Sequence, residues 1–493
     1  MPDVVPAVPE KRSEGPARME YTELSAYELP AGTVTSWTPR ADAGRWQQDS
    51  RDLSPGHEAH LRDSEPGSWI GSVLRVPAPY EPEALRRAIH AWLSRHEVLR
   101  TTVTPAGDGG WRRVTAPAEA VAVRDLVVGD LTADQVRTLL PRLLADVSPT
   151  AWPHCVLASV TPHEPGTGFV LAFGADHSVM DAYSQLLWFE EIVSLYDAAR
   201  RGVPDAELEA LEVGSHVDFS AEDRKLAMTL AADGEPVRRW LDFLGPGAAF
   251  PRYDGVTRPP ADAAEAARPQ ASRSEWLATV AQTDELSARS RARGASAQSG
   301  VLAAFAHAAR RVHGLDRLRF VLPMHTRYAP QHAAAVGWYV GLCPVDLDLG
   351  GTEPLLRTHQ GADPVVDGDA LTESVGRVHA AVAAGKPLVR YSFARIAELG
   401  GIADGPHFAV SYVDTRFVPG AERWSDWSAR TLRSPAHGTD ELYLWFLRTH
   451  EGLNVSARYP DTPEAHAAMD GLVAELRTHL RAFGSAEPRE AVA

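Results

Sequence analysis

The chain has 493 residues, of which 44% are hydrophobic and 23% charged, as expected of a globular protein with two or more domains. Its formal net charge of −16 argues against a nucleic-acid partner, because phosphate recognition needs a basic surface. No apolar run approaches the roughly 18 residues that a membrane-spanning helix needs. The two cysteines, Cys155 and Cys343, lie in apolar segments. We therefore expect buried thiols and no disulfide, and no Cys/His spacing predicts a metal site.

Residues 1–20 are rich in proline and charged residues and lack the basic-then-apolar order of a secretion signal. They are predicted to form a disordered leader. The expected compartment is the cytoplasm.

The next part of the chain predicts alternating strands and helices. In the segment 81–99, Leu85, Ile89 and Trp92 share one helical stripe, and Pro82 suits a first helical turn. Residues 152–160 and 169–173 are expected to pair as a hairpin. Further strands are predicted at 69–76, 99–103 and 111–114, and further helices at 133–147 and 182–200.

Residues 226–275 include a stretch rich in proline, alanine and glycine and are predicted to be a crossover or linker between two halves. A helix is predicted over 226–243. Beyond it, strands are predicted at 274–280, 318–323, 337–349, 407–413, 441–449 and 453–459, and helices at 284–293, 299–313 and 463–483. The plan is α/β, with an N-terminal half at 21–225 and a C-terminal half at 276–493.

The loop ADHSVMD, at residues 175–181, joins the apolar run 169–173 to the helix at 182–200. Loops at the carboxyl ends of strands often carry the chemistry of α/β proteins. His177 is a candidate general base, because a neutral imidazole can accept a proton near neutral pH. The HxxxD pattern alone leaves open that His177 is a structural loop histidine and that Asp181 is an ordinary helix cap.

Other residues offer alternative chemistry. Ser178 and Ser184 lie close to His177, but no GxSxG surrounds either one, which disfavours a covalent serine mechanism. His325, His407 and His437 are alternative bases.

Four segments, in the expected order, resemble the condensation-domain superfamily, which includes nonribosomal peptide condensation domains, chloramphenicol acetyltransferase and polyketide-associated acyltransferases. They are 85–101 ending in RHEVLRT, DHSVMDA at 176–182 against the family's HHxxxDG, 301–327 ending in LPMHTR, and VGWYVGLCPV at 336–345. Residues 411–424 and 439–462 are most similar to stand-alone, PapA-type polyketide-associated acyltransferases. Asp176 replaces the family's first histidine, Ala182 replaces its glycine, and no DFGWG occurs.

The resemblance implies two chloramphenicol-acetyltransferase-like halves in a V-shaped pseudo-dimer with a central tunnel. It makes His177 the general base and pairs Asp181 with Arg327 as structural support of the loop. Ser411, Asp176 and His325 are candidates for the tunnel or the oxyanion site.

The implied reaction moves an acyl group from a pantetheine thioester, carried by coenzyme A or an acyl carrier protein, to a hydroxyl or amine acceptor. The product is an ester in secondary-metabolite or lipid biosynthesis. No bound cofactor or metal is implied, and a monomer suffices. The alternatives are a free-standing, amide-forming nonribosomal peptide condensation enzyme and a catalytically silent recruitment module.

Overall fold

The structure, a computed structural model, describes residues 18–485 except 64–66, 108, 165, 167, 211, 352–355 and 358–364. Most of the predicted leader therefore lies outside the described residues. The strands are β1 (Tyr21–Thr22), β2 (Gly32–Ala41), β3 (Gln47–Gln48), β4 (Ile70–Val76), β5 (Thr101–Pro105), β6 (Trp111–Thr115), β7 (Val121–Leu131), β8 (Cys155–Pro162), β9 (Phe169–Ala175), β10 (Gln270–Ala278), β11 (Arg317–His325), β12 (Val340–Asp348), β13 (Leu356–Arg357), β14 (Val365–Val366), β15 (Phe408–Asp414), β16 (Arg430–Arg433), β17 (Leu442–Thr449) and β18 (Gly452–Pro460).

The helices pack on both faces of the larger sheets. They are α1 (Pro55–Asp63), α2 (Pro82–Arg95), α3 (Ala133–Leu144), α4 (Ala182–Arg200), α5 (Asp205–Leu208), α6 (His216–Ala227), α7 (Glu235–Leu244), α8 (Ala263–Ala266), α9 (Val280–Ala292), α10 (Ala297–His313), α11 (Gly368–Gly385), α12 (Phe393–Gly400) and α13 (Pro463–Ser485). None of the described helices is long and apolar enough to cross a bilayer. The predicted α/β class is confirmed.

The first sheet has the strand order β1-β16-β4-β9-β8-β2-β7. Its central strand β9 is buried on both faces, which explains its continuous apolar sequence. Phe169 and Phe173 join the core that includes α2 and α4, whereas Val170 and Ala172 join the core that includes α3. The predicted hairpin is confirmed, since β8 and β9 pair antiparallel with Val160 opposite Val170.

The second sheet has the order β10-β18-β17-β15-β11-β12 and lies against α9, α10, α11 and α13. Helix α10 is buried along one continuous stretch and ends at Gly314, whose φ of 67° is the left-handed conformation that glycine adopts at little cost. Cys155 and Cys343 are free and buried, as predicted, and burial raises the pKa of both thiols to about 12.

One predicted helix is wrong. The segment expected to be helical at 226–243 is divided, because α6 ends at Ala227 and α7 begins at Glu235. Gly234 caps α7, and Pro236 lies in the first turn of α7, where a missing backbone N–H costs nothing. The same proline could not continue a helix arriving from α6, because its ring would meet the preceding turn.

Arg433 ties the two large sheets together. It lies on β16, the strand that the C-terminal part of the chain contributes to the first sheet between β1 and β4. Its guanidinium donates to the backbone oxygen of Tyr21 at 2.8 Å, to Ser272 Oγ of β10 at 2.8 Å and to the backbone oxygen of Ala457 at 3.1 Å. It also lies 4.6 Å from the ring centroid of Trp445. Burial lowers the pKa of Arg433 to about 10.

Replacing Arg433 by methionine should lower the free energy of unfolding by about 2–4 kcal/mol, because three charge-assisted hydrogen bonds and a cation–π contact are lost. Urea denaturation followed by tryptophan fluorescence measures the change. Arg40→Met, on an exposed position of β2, is the matched control and should change stability by less than about 0.5 kcal/mol. Equal effects of the two substitutions would contradict a bridging role for Arg433.

Candidate active site

The loop between β9 and α4 is fixed at its helix end by Asp181. Asp181 is the N-cap of α4, and its Oδ1 accepts hydrogen bonds from the backbone N–H and the hydroxyl of Ser184, both at 2.7 Å. This bonding satisfies one of the free N–H groups at the start of the helix. Helix α4 then runs to Arg200 with most of its apolar residues in the core.

Asp181 also pairs with Arg327, which lies two residues after β11 of the second sheet. The guanidinium donates to both carboxylate oxygens, at 2.7 Å and 2.9 Å, and the side chains of Arg327 and Asp181 are only 3% and 1% exposed. Burial by itself raises the pKa of Asp181, but the charge and hydrogen bonds of Arg327 hold it below its ordinary value. The structure thus brings together the two residues that the sequence predicted to pair.

This pair also organises the chain on the other side of the site. The backbone N–H of Tyr339 donates to Asp181 Oδ2 at 3.0 Å, and Arg327 donates to the backbone oxygen of Ala335 at 3.2 Å. Between them, Gly337 packs so closely on His216 that an added Cβ would overlap the imidazole ring. The segment that carries Trp338 is therefore fixed relative to the loop that carries His177.

His177 lies beside Trp338 and His60, with ring centroids 4.9 Å and 6.4 Å away. The residue is half-buried. Its Nδ1 is shielded from solvent, whereas its Nε2 is not shielded and makes no hydrogen bond with the residues that the structure describes. Burial, followed by the charge of His60, lowers the pKa of His177, against the opposing effects of Asp181 and Asp176. The imidazole is therefore neutral at neutral pH, with one nitrogen able to accept a proton.

A cavity of about 820 Å³ lies on the Trp338 and His60 side of His177. Its wall contains Trp338 and His60, whose rings lie near that of His177, but His177 itself is not among the lining residues. Residues of α1 and α6 line the cavity on one side of the molecule, and residues of β12 and α12 line it on the other. This placement between the two sheets is consistent with the V-shaped pair of halves that the sequence predicted.

Asp176, a sequence candidate for the tunnel, is not among the residues of the cavity wall. It is 2% exposed, and its Oδ1 lies 2.9 Å from His60 Nε2 and accepts the backbone N–H of Ser178 at 2.8 Å. Sequence reasoning missed both His60 and Trp338 as parts of this site. Two histidines three residues apart in HEAH, at 57–60, were the available signal.

The remaining predicted residues are likewise not in the wall of this cavity. His325 is exposed at the end of β11, with its ring centroid 6.3 Å from that of Tyr183. Ser411 is half-buried on β15 opposite Trp445, so its oxyanion role stays a prediction. His407 lies between Asp404 and Asp440, with distances of 2.8 Å and 3.3 Å. Among the described residues, no cluster of three or more His, Cys, Asp or Glu side chains is placed to hold a metal ion.

The fold agrees with the comparisons to known proteins. The model of the condensation-domain family matches residues 60–360, and the chain belongs to that family. Within it, the chain is an acyltransferase that resembles the PapA-type enzymes over most of its length.

Two relatives from Mycobacterium tuberculosis carry this narrower similarity. The acyltransferase PapA3 is 23% identical over 431 residues, covering 85% of this chain and 84% of PapA3. Trehalose-2-sulfate acyltransferase PapA2 is 23% identical over 481 residues, covering 93% and 96%. A solved structure of a PapA2 acyl transferase superposes with a TM-score of 0.80 at 19% identity, over 95% of this chain and 100% of the other.

Replacing Asp181 by asparagine should lower the free energy of unfolding by about 3–5 kcal/mol, because the buried guanidinium of Arg327 loses its counter-charge. Soluble yield and acyl transfer should fall together. Thermal or urea denaturation and a transfer assay measure the two effects.

The matched control is Asp134→Asn in the first turn of α3, where the carboxylate is 89% exposed and paired with Arg137. Its effect should stay below about 0.5 kcal/mol. A well-folded, fully active Asp181→Asn protein would show that the buried pair does not support the loop.

Proposed function

We propose that this acyltransferase moves an acyl group from a pantetheine thioester to a hydroxyl group, with His177 as the general base. The observation that carries the proposal is the accessible, unbonded Nε2 of a neutral His177, whose ring lies beside Trp338 and His60 in the wall of a cavity. General bases of this kind contribute about 10²–10⁴-fold to a rate. Asp181 is excluded as the base, because its carboxylate is occupied by Arg327 and Ser184.

The proposed reaction accounts for every proton and every bond with the two substrates and His177. His177 Nε2 takes the hydroxyl proton while the alcohol oxygen bonds to the thioester carbonyl carbon, giving a tetrahedral oxyanion. As the carbonyl re-forms, the carbon–sulfur bond breaks and the thiolate leaves. The imidazolium returns its proton to the thiolate, so the products are an ester and a free thiol, and His177 is neutral again. No step consumes a further reactant.

The donor and acceptor are to be found by assay. Decanoyl-coenzyme A and a decanoyl-loaded acyl carrier protein represent the two donor types. The acceptor panel contains 1-octanol, 1,2-octanediol, 1-octylamine and trehalose, the last because one relative is named for a trehalose sulfate. Intact-mass detection of products identifies the reaction.

An amide-forming reaction is the alternative. The chain is 25% identical over 285 residues to a linear gramicidin synthase polypeptide of Brevibacillus parabrevis, a match that covers 57% of this chain and 4% of that protein. Transfer to 1-octylamine in preference to 1-octanol would favour this alternative. No transfer to any acceptor from either donor would favour a recruitment module.

Replacing His177 by alanine should reduce kcat/KM for acyl transfer by at least about 10²-fold, because no base remains to take the hydroxyl proton. His163→Ala is the matched control, since His163 lies on an exposed turn with a side chain that is 58% exposed. A larger loss of kcat/KM in His325→Ala than in His177→Ala would indicate that His325 is the base.

The pH dependence follows from the lowered pKa of His177. The base works only when neutral, so kcat/KM should be constant above the ordinary histidine pKa of about 6.5 and fall only at lower pH. The midpoint of the acidic limb should therefore lie below 6.5. Rates measured from pH 4.5 to 8.5 with one donor and acceptor provide the test, and a midpoint above pH 7 would contradict this environment for the base.

A further inference from the structure

His60 of α1 is tied to the loop that carries His177. Its Nε2 lies 2.9 Å from Asp176 Oδ1, the same oxygen that accepts the backbone N–H of Ser178. Asp176 and Ser178 are the two neighbours of His177 in the chain. The position that holds a histidine in the family motif thus holds an aspartate here, and that loop aspartate contacts a histidine of helix α1.

The Asp176 contact decides which nitrogen of His60 carries a proton. Burial raises the pKa of Asp176, but its hydrogen bonds with His60 and Ser178 lower it to about 2, so the carboxylate is ionised and acts only as an acceptor. His60 Nε2 must therefore be the donor. This contact uses Nε2 alone, so the second ring nitrogen, Nδ1, is left for another partner.

Nδ1 of His60 is available to a bound molecule. His60 lines the 820 Å³ cavity, and within the described part of the chain its Nδ1 makes no hydrogen bond and is not shielded from solvent. The side chain of His60 is 15% exposed, and its ring packs edge-on against Trp338 with centroids 5.4 Å apart. A histidine that is paired with Asp176 and has one unbonded ring nitrogen thus lines the cavity, with its ring centroid 6.4 Å from that of His177.

We propose that His60 binds the acceptor: its Nδ1 forms a hydrogen bond with a second hydroxyl of the acceptor, which can donate or accept, while the reacting hydroxyl donates to His177. This inference rests on the proposed function. Because the two imidazole centroids are 6.4 Å apart, neighbouring hydroxyls of one molecule can reach both rings. The acceptor class is therefore an alcohol with a second hydroxyl next to the reacting one, such as a 1,2-diol or a sugar.

The rest of the cavity wall suits such a polyol. Asp223 of α6 is half-buried in the wall and makes no hydrogen bond or ion pair with the residues that the structure describes. Its carboxyl group can bind hydroxyls whether or not it is ionised, and burial raises its pKa to about 6. The indole of Trp338 and the ring of Tyr391 supply flat apolar surfaces for the carbon skeleton.

The test compares two acceptors that differ only in the second hydroxyl, 1,2-octanediol and 1-octanol, with the better of the two decanoyl donors. The wild type should prefer the diol in kcat/KM by about tenfold, the worth of one well-placed hydrogen bond. His60→Phe, which keeps a ring but no nitrogen, should lose this preference mainly through a higher KM for the diol. His60→Gln, whose amide both donates and accepts, should retain part of it.

His60→Ala also removes the imidazole and replaces His60→Phe if that variant does not fold. His163→Phe is the matched control and should leave the preference for the diol unchanged. A structural role for His60 would lower the rates with both alcohols equally. Equal kcat/KM for diol and mono-alcohol in the wild type, or an unchanged preference in His60→Phe and His60→Ala, would overturn the inference alone. Absence of His177-dependent transfer to every acceptor would overturn the proposed function as well.

Discussion

The buried ion pair between Asp181 and Arg327 is the interaction on which the geometry of the site depends. Both side chains are almost fully excluded from solvent, so neither charge is tolerable without the other. Asp181 begins α4 of the first half of the chain, whereas Arg327 follows β11 of the second sheet. The pair therefore fixes the His177 loop against the strand region that carries Trp338.

The same arrangement explains how the half-buried His177 stays uncharged and able to accept a proton. Burial and the neighbouring His60 lower the pKa of His177, and the charge of Asp181 acts in the opposite direction. Arg327 and Ser184 bind the oxygens of Asp181. A carboxylate without these partners would stabilise the imidazolium more strongly, so less of His177 would be in the neutral form that accepts a proton.

The parts of this arrangement that depend on local pattern could be predicted from the sequence. Neighbouring residues, together with the family motif, are enough to predict three of these parts. They are the apolar run at 169–173, the helical stripe that follows it, and the position of Arg327 two residues after a strand. The role of His60 could not be predicted in this way. Helix α1 is short and polar, with Pro55 and Leu61 as its buried residues, so it has little periodicity to detect. Asp176, the partner of His60, lies 116 positions further along the chain.

The position of β16 in the first sheet could not be predicted from the sequence either, because its four residues, RTLR, pair with a strand more than 350 positions earlier.

The insertion of β16 between β1 and β4 has a consequence for biosynthesis. While the ribosome is still making the second sheet, the first sheet lacks one inner strand, and the apolar β4 presents an open edge to other chains. Only when residues 430–433 emerge, late in translation, can that edge close, so the nascent polypeptide passes through an extended period in which chaperones have an exposed strand to protect.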